Sequence, residues 1–163
     1  ILGEIMRRAK ALVGADFPIL AKLNSTDGFD DPACLSLQDV VWAAKLLESL
    51  GVAGIELSGG IQDSKDVISC PGIRSVEQEG YFSLAAKAVR HELRIPLILV
   101  GGFRSVSAMK QAVVSGAADL VSLSRPFICE PDLLKRFAAG QTRANCISCN
   151  RCFGAEALKC AIF

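Results

Sequence analysis

The sequence has few aromatic residues, almost no net charge and no long apolar run. Its 163 residues include one Trp and one Tyr, so a row of base-stacking side chains is not expected. The 18 basic and 17 acidic residues give a formal net charge of +1, which argues against a nucleic-acid surface and a polybasic membrane anchor. The longest apolar runs, such as residues 95–100, have the length of a strand, well short of the roughly 20 residues of a membrane span.

The N-terminal residues also lack the basic, apolar and small-residue order of a signal peptide. They have the pattern of the end of an amphipathic helix, and the first residue is Ile1 rather than Met. We therefore expect the chain to be the C-terminal part of a longer protein. An odd count of seven Cys without an export signal argues against a disulfide framework, and the cytoplasm is the expected compartment.

Apolar strands alternate with amphipathic helices along the chain. This alternation predicts a parallel sheet covered by helices, in a doubly wound sheet or a (β/α)8 barrel. Four strand–helix units make half of a barrel, and the barrel is the better interpretation for a chain that lacks its N-terminal part. We expect a half-barrel over residues 1–140 and a Cys-rich extension over 141–163. The predicted strands are 17–23, 53–57, 96–100 and 120–123, and the main predicted helices are 36–50, 79–93, 105–115 and 131–139.

Two features at the ends of the last two predicted strands predict an anion site. Gly101 and Gly102 follow the third strand, where the absence of side chains lets backbone N–H groups approach an anion. Ser124 and Arg125 follow the fourth strand, and an Arg can hold a phosphate through two hydrogen bonds. In (β/α)8 barrels the loops after the seventh and eighth strands often bind a phosphate together, which favours this pairing over two unrelated loops.

Lys22 lies at the end of the first predicted strand, where a barrel carries its functional groups. Its cation could stabilise negative charge on the pyrimidine edge of a flavin, or it could simply extend into solvent. Glu56 lies within the second strand, and an ion pair with Lys22 on the neighbouring strand is an equally good interpretation of that residue. The only histidine, His91, lies between charged residues of a helix and is expected at the surface.

The segment 119–134, DLVSLSRPFICEPDLL, resembles the last strand and phosphate turn of the old yellow enzyme family. The downstream CISCNRC, residues 146–152, resembles the subgroup that includes 2,4-dienoyl-CoA reductase and related NADH:flavin oxidoreductases. The resemblance covers nearly the whole chain, from the fifth strand of the family barrel onward. It implies the C-terminal half of an FMN-binding (β/α)8 TIM barrel, with a flavin-binding set of residues: Lys22 at the pyrimidine ring, and Gly101, Gly102, Ser124 and Arg125 at the phosphate.

The resemblance also implies a chemistry and its partners. NAD(P)H would reduce FMN, and FMN would pass the hydride to an activated alkene or a similar small-molecule acceptor. The substrate-holding His pair and the proton-donating Tyr of the family precede the fifth strand, so no catalytic residue is expected in this chain, and Tyr81 is not assigned that role. Other open interpretations are a different phosphate-binding barrel enzyme and a non-catalytic iron–sulfur or zinc module.

Four cysteines lie in the last eighteen residues, and three of them have C-x2-C-x2-C spacing: Cys146, Cys149, Cys152 and, further on, Cys160. Such a set can hold a [4Fe-4S] cluster or a zinc ion, or it can consist of structural thiols, and the spacing leaves the three open. In the iron–sulfur members of the family the third Cys comes one residue later, where this chain has Phe153. A half-barrel also has two open strand edges, so we expect a homo-oligomer.

Overall fold

The computed structural model describes residues 1–154 and 158–162. The chain begins with α1 (Leu2–Val13), whose Glu4 forms ion pairs with Arg7 and Arg8 on its exposed side while Met6 is buried. The helix ends at Gly14, which has a positive φ of 94°. This is the amphipathic N-terminal helix that the sequence predicts.

A four-stranded parallel sheet forms the centre of the fold. The strands lie side by side in chain order and are connected by helices. The strand order therefore does not reverse within the described sheet. A reversal is the mark of a doubly wound sheet, and its absence favours a barrel segment. The strands are β1 (Leu20–Asn24), β2 (Gly54–Ser58), β3 (Leu97–Leu99) and β4 (Leu120–Val121).

The two central strands carry the core. Ile55, Leu57, Leu97 and Leu99 are fully buried, which is expected of parallel strands covered by helices. The longer connecting helices pack on the sheet through small and branched residues such as Val40, and α2 begins with a capping box between Ser36 and Asp39. The remaining helices are α2 (Leu37–Ser49), α3 (Lys65–Ile68), α4 (Ser83–Glu92), α5 (Val106–Val114), α6 (Arg125–Cys129) and α7 (Leu133–Ala138).

The predicted helix over 79–93 begins four residues too early. Glu79 lies outside the helix because its carboxylate accepts hydrogen bonds from the backbone N–H groups of Arg104 and Ser105. Gly80 follows with a φ of 67°, which turns the chain before α4 starts at Ser83. The helical periodicity of the sequence includes Glu79, but its hydrogen-bond partners lie in the loop after β3 and keep it out of the helix.

Two other segments contain more regular structure than expected. The segment 58–78, which lies between a predicted strand and a predicted helix, contains α3 and the 3₁₀ turns Gln62–Ser64 and Val76–Gln78. The helix predicted over 131–139 starts at Leu133, and the extra helix α6 precedes it, with Pro126 in its first turn. None of the described helices has the length and apolar content to cross a bilayer.

The Cys-rich segment packs against the barrel segment along the start of α5. Ser105 and Arg143 form an antiparallel bridge, the backbone N–H of Val106 donates to the Thr142 carbonyl, and that of Ala144 donates to the Arg104 carbonyl. The last regular element described in this segment is the 3₁₀ turn Arg151–Phe153. The division into residues 1–140 and 141–163 stays a prediction.

Candidate functional site: an anion cavity at the carboxyl ends of the strands

A cavity of about 370 Å³ lies where the four strands end. Each strand or the loop after it contributes to its wall, because the carboxyl ends of parallel strands meet at one edge of the sheet. Four of the five residues predicted to bind the flavin line it together: Lys22, Gly102, Ser124 and Arg125. Gly101 precedes Gly102 in the same turn but is not part of the lining.

The two glycines are required by the turn itself. Gly101 has a φ of 148°, and its carbonyl accepts a hydrogen bond of 2.6 Å from the backbone N–H of Gly80. Gly102 has a φ of 71°, and a Cβ there would overlap Ile73 Cδ1 and lie 2.8 Å from Tyr81 Cε1. A side chain at either position would therefore be strained, and at Gly102 it would collide with its neighbours.

Arg125 is held in place by the loop before α4 and by the Cys-rich segment. It is only 6% exposed, and Nη1 donates to the Cys70 carbonyl at 3.0 Å and to Asn150 Oδ1 at 2.5 Å. Asn150 in turn donates to the Ser69 carbonyl at 2.7 Å. Both acceptors are neutral, so the buried positive charge of Arg125 has no carboxylate among these partners. Ser124, by contrast, is exposed and precedes the first turn of α6.

Arg104 is a site residue that the sequence reasoning missed. Its side chain lines the cavity, the residue is 1% exposed, and Nη1 donates to the Cys146 carbonyl. Its Nε and Nη2 are buried and have no hydrogen-bond partner in the part of the chain that the structure describes. Burial lowers the pKa of Arg104, and the neighbouring charge of Arg125 lowers it further. The available signal was its position, two residues after the Gly101–Gly102 pair.

Lys22 combines an ion pair with a position in the cavity wall. It pairs with Glu56, its register partner on β2, and it also lines the cavity. The Lys22 side chain is 58% exposed and the Glu56 side chain 26%, so the ion pair leaves the ammonium accessible. His91 is at the surface as expected, with a side chain 86% exposed.

The charged side chains in the described lining of the cavity are therefore all positive. Its lining includes the cations Lys22, Arg104 and Arg125, and none of the described residues that line it is acidic. Two of these cations are buried, and a buried charge is stable only when an opposite charge or hydrogen-bond acceptors compensate it. Two buried nitrogens of Arg104 lack a hydrogen-bond acceptor among the described residues. An anionic group such as a phosphate would supply that acceptor and therefore fits this cavity.

Tyr81 also lines the cavity, just before α4. Burial raises the pKa of its phenol, and the hydroxyl donates weakly to the Ile68 carbonyl at 3.5 Å. The described residues around it include no His or carboxylate in the cavity wall. The described lining of the cavity therefore contains no acid–base pair for proton transfer.

A second, much smaller cavity of about 20 Å³ lies under the Cys-rich segment. Such a volume holds about one water molecule, which is far too little for a four-iron cubane. In residues 1–154 and 158–162, no three His, Cys, Asp or Glu side chains converge in a way that could hold a metal ion. The cluster ligands predicted from the sequence thus do not fit a [4Fe-4S] site in this arrangement, although five cysteines line the cavity: Cys129, Cys146, Cys149, Cys152 and Cys160.

The cysteine that the sequence reasoning left aside is Cys129, at the end of α6. Its thiol shares a hydrogen bond with Cys160, and burial together with that bond raises the pKa of Cys129 to about 12. Burial also raises the pKa of Cys152. The metal site stays a prediction of the sequence.

Comparison with known proteins supports the same fold and family. An NADH oxidase of Thermoanaerobacter brockii is 32% identical over 149 residues, which is 90% of this chain and 22% of the relative. The solved 2-naphthoyl-CoA reductase complex has a TM-score of 0.77 at 24% identity, over 92% of this chain and 22% of that one. The old yellow enzyme homologue of Zymomonas mobilis has a TM-score of 0.59 at 23% identity, over 88% and 38%.

The two solved structures show the fold, and the chain spans only about a fifth to two fifths of the lengths of these three proteins. The parallel α/β arrangement is therefore part of a barrel of this type, as the strand order indicates. The sequence model of the NADH:flavin oxidoreductase / NADH oxidase family matches residues 2–144, which includes every strand and the whole anion cavity except Phe153. The chain belongs to the NADH:flavin oxidoreductase / NADH oxidase family.

Proposed function

We propose that this chain forms the phosphate-binding part of an FMN site in a flavin-dependent NAD(P)H oxidoreductase. The observation that carries the proposal is the cavity with three cationic side chains, of which Arg104 has two buried nitrogens without a partner. A phosphate monoester offers several charged acceptor oxygens, which suit both guanidinium groups. Membership of the family specifies which phosphate ester is proposed.

The residues in and beside the cavity have distinct parts in this proposal. Arg125 and Arg104 neutralise the phosphate, while the turn at Gly101 and Gly102 keeps side chains out of its way. Lys22 lies on β1, away from the β3 and β4 loops, and binds the pyrimidine edge of the ring. FMN, when bound, supplies hydride transfer between a nicotinamide and an acceptor such as an activated alkene.

The proposal separates the cofactor from the substrate. The described part of the chain supplies charges that bind and orient a flavin phosphate, and its cavity wall lacks a proton donor paired with a base. We propose that the ene-reductase type of chemistry, with a small-molecule acceptor, needs residues beyond those in this cavity. The cytoplasm remains the proposed compartment.

The test compares FMN with riboflavin, which has the same ring but no phosphate. Binding of each is measured by equilibrium dialysis or flavin fluorescence for the unchanged protein, Arg125→Ala and Arg104→Met. Because a charge-assisted hydrogen bond contributes about 1.5–3 kcal/mol, each substitution should weaken FMN about 10- to 100-fold. Riboflavin binding should change little, since it never contacts the guanidinium groups.

The control is Arg94→Ala, which removes an exposed cation outside the cavity. It should leave the affinity for both ligands unchanged. If Arg125→Ala weakened FMN and riboflavin equally, the phosphate role would be wrong and Arg125 would act on the structure alone. If the protein bound simple sugar phosphates as tightly as FMN, the alternative of another phosphate-binding barrel enzyme would be favoured.

A further inference from the structure

Asn150 links the Cys-rich segment to the anion cavity through its side-chain amide. Its Oδ1 accepts a hydrogen bond of 2.5 Å from Arg125 Nη1, and its Nδ2 donates to the Ser69 carbonyl at 2.7 Å. The Cys70 carbonyl accepts a second hydrogen bond from Arg125 Nη1 at 3.0 Å. Because the nitrogen of the amide has to face a carbonyl, its oxygen faces the guanidinium group. The amide therefore fastens one end of the Arg125 side chain to the loop before α4.

The backbone at Asn150 restricts which residues can occupy this position. Asn150 has a φ of 58° and a ψ of 5°, in the left-handed region, and its carbonyl accepts a hydrogen bond of 3.1 Å from the backbone N–H of Phe153. Among residues with a Cβ, Asn and Asp adopt this conformation most readily, and Gly adopts it without strain. Of these three, only Asn has a neutral amide that can bond both to a carbonyl and to a guanidinium group.

The hydrogen bonds of Arg125 orient its side chain without neutralising it. Both bonds start at Nη1, and both acceptors are neutral, so Nε and Nη2 have no acceptor among the described residues. Arg125 is 6% exposed and lines the anion cavity. A carboxylate in the place of the Asn150 amide would form an ion pair with the guanidinium group and cancel the charge that attracts an anion. The neutral amide avoids this competition.

We propose that Asn150 is a positioning residue, which holds the Arg125 guanidinium group toward a phosphate in the anion cavity and leaves its charge uncompensated. This inference rests on the proposed function, because the phosphate is that of FMN. It adds a part for the Cys-rich segment, whose amide at position 150 sets the affinity for the phosphate. Arg104 has a similar arrangement, since its Nη1 donates to the Cys146 carbonyl, a second neutral acceptor in that segment.

The test measures the affinities of FMN and riboflavin for Asn150→Gly and Asn150→Asp in the full chain by equilibrium dialysis. Gly suits the left-handed backbone but removes the amide, so FMN should bind about 3- to 10-fold more weakly, which corresponds to one ordinary hydrogen bond. Asp has nearly the same shape and suits the same backbone, but its carboxylate pairs with Arg125. The loss of FMN affinity should therefore reach about 10- to 100-fold, as expected for removal of the Arg125 charge. Riboflavin should bind to both variants as it binds to the unchanged protein.

The order of the two variants separates positioning from a purely structural role. If Asn150 only supported the fold, Asp would be the milder replacement, and riboflavin affinity would fall together with FMN affinity. The matched control is Asn145→Gly, which removes another amide of the Cys-rich segment. Asn145 Nδ2 donates to Glu130 Oε1 at 2.9 Å, and neither residue lines the anion cavity. This control should keep the ratio of FMN to riboflavin affinity unchanged.

Two results would overturn the positioning role while leaving the proposed function intact. One is an Asn150→Asp variant that binds FMN as tightly as the unchanged protein or more tightly than Asn150→Gly. The other is an equal loss of FMN and riboflavin affinity in both variants. An unchanged protein that binds riboflavin as tightly as FMN would instead contradict the proposed function itself. If Asn150→Gly fails to fold, Asn150→Asp decides the question alone, because a reduced preference for FMN supports the role and an unchanged preference refutes it.

Discussion

Replacement of Glu79 by Ala tests what holds the loop that carries the anion cavity. The Glu79 side chain is fully buried, and its Oε2 accepts three hydrogen bonds from the loop after β3. The donors are the backbone N–H of Arg104 at 2.8 Å, the backbone N–H of Ser105 at 2.9 Å and the Ser105 hydroxyl at 3.0 Å. Alanine would leave these donors buried without an acceptor.

The expected loss of unfolding free energy is worked out from the two backbone donors alone, because the Ser105 hydroxyl can rotate toward another acceptor. An unsatisfied buried donor costs about 1–3 kcal/mol, so Glu79→Ala should lower the free energy of unfolding by about 2–6 kcal/mol. That is a large part of the roughly 5–15 kcal/mol that stabilises a typical domain. Glu79→Gln keeps one acceptor oxygen but not the charge, and it should lose roughly 1–2 kcal/mol.

The assay is urea unfolding followed by circular dichroism, with the anion affinity of the cavity as a second measurement. Glu77→Ala is the matched control, because Glu77 lies two residues earlier in the 3₁₀ turn and is exposed. It should leave the unfolding curve unchanged. If Glu79→Ala unfolded at the same urea concentration as Glu77→Ala, the loop would not depend on this carboxylate and the reasoning would be refuted.

Two other predictions concern the cavity wall and the sheet edge. Because burial raises the pKa of Tyr81 in the folded state, the stability that its phenol contributes is complete below the unfolded pKa of about 10 and declines as pH rises from there to the folded pKa. Tyr81 is the only tyrosine, so its ionisation can be followed by absorbance. Tyr81→Phe should remove that part of the decline in unfolding free energy. An ordinary pKa for the Tyr81 phenol would contradict the burial argument. Leu120 on the edge strand β4 is 53% exposed, and we expect self-association through such edges in gel filtration. Leu120→Lys should reduce it more than the helix control Leu84→Lys, and a monomer of the unchanged protein at all concentrations would count against the expectation.

Much of the fold was predictable because it depends on local patterns. Apolar runs of strand length, alternating with amphipathic segments, determine a parallel sheet covered by helices whatever the loops do. A glycine after β3 and a cation after β4 could be expected to lie in one cavity because strand ends in such a sheet share one edge. The pairing of Lys22 with Glu56 could be anticipated for the same reason, since the residues occupy neighbouring strands.

The tertiary structure decided what depends on contacts between distant residues. Glu79 is the first residue of the predicted helix, yet it lies outside α4 because its hydrogen-bond partners are Arg104 and Ser105. Arg104 becomes a site residue only because the Cys-rich segment buries it and satisfies one of its nitrogens.

The cysteines show the same division between pattern and contact. Their spacing raises a metal site among Cys146, Cys149, Cys152 and Cys160 as one interpretation, whereas the folded chain adds Cys129, from the end of α6, to the cavity that these four line. Local sequence thus determined the strands, most of the helices and the edge of the sheet at which the cavity lies. The packing of the described residues of the Cys-rich segment, which no local pattern encodes, decided that Arg104 is buried and that Cys129 shares a cavity with the later cysteines.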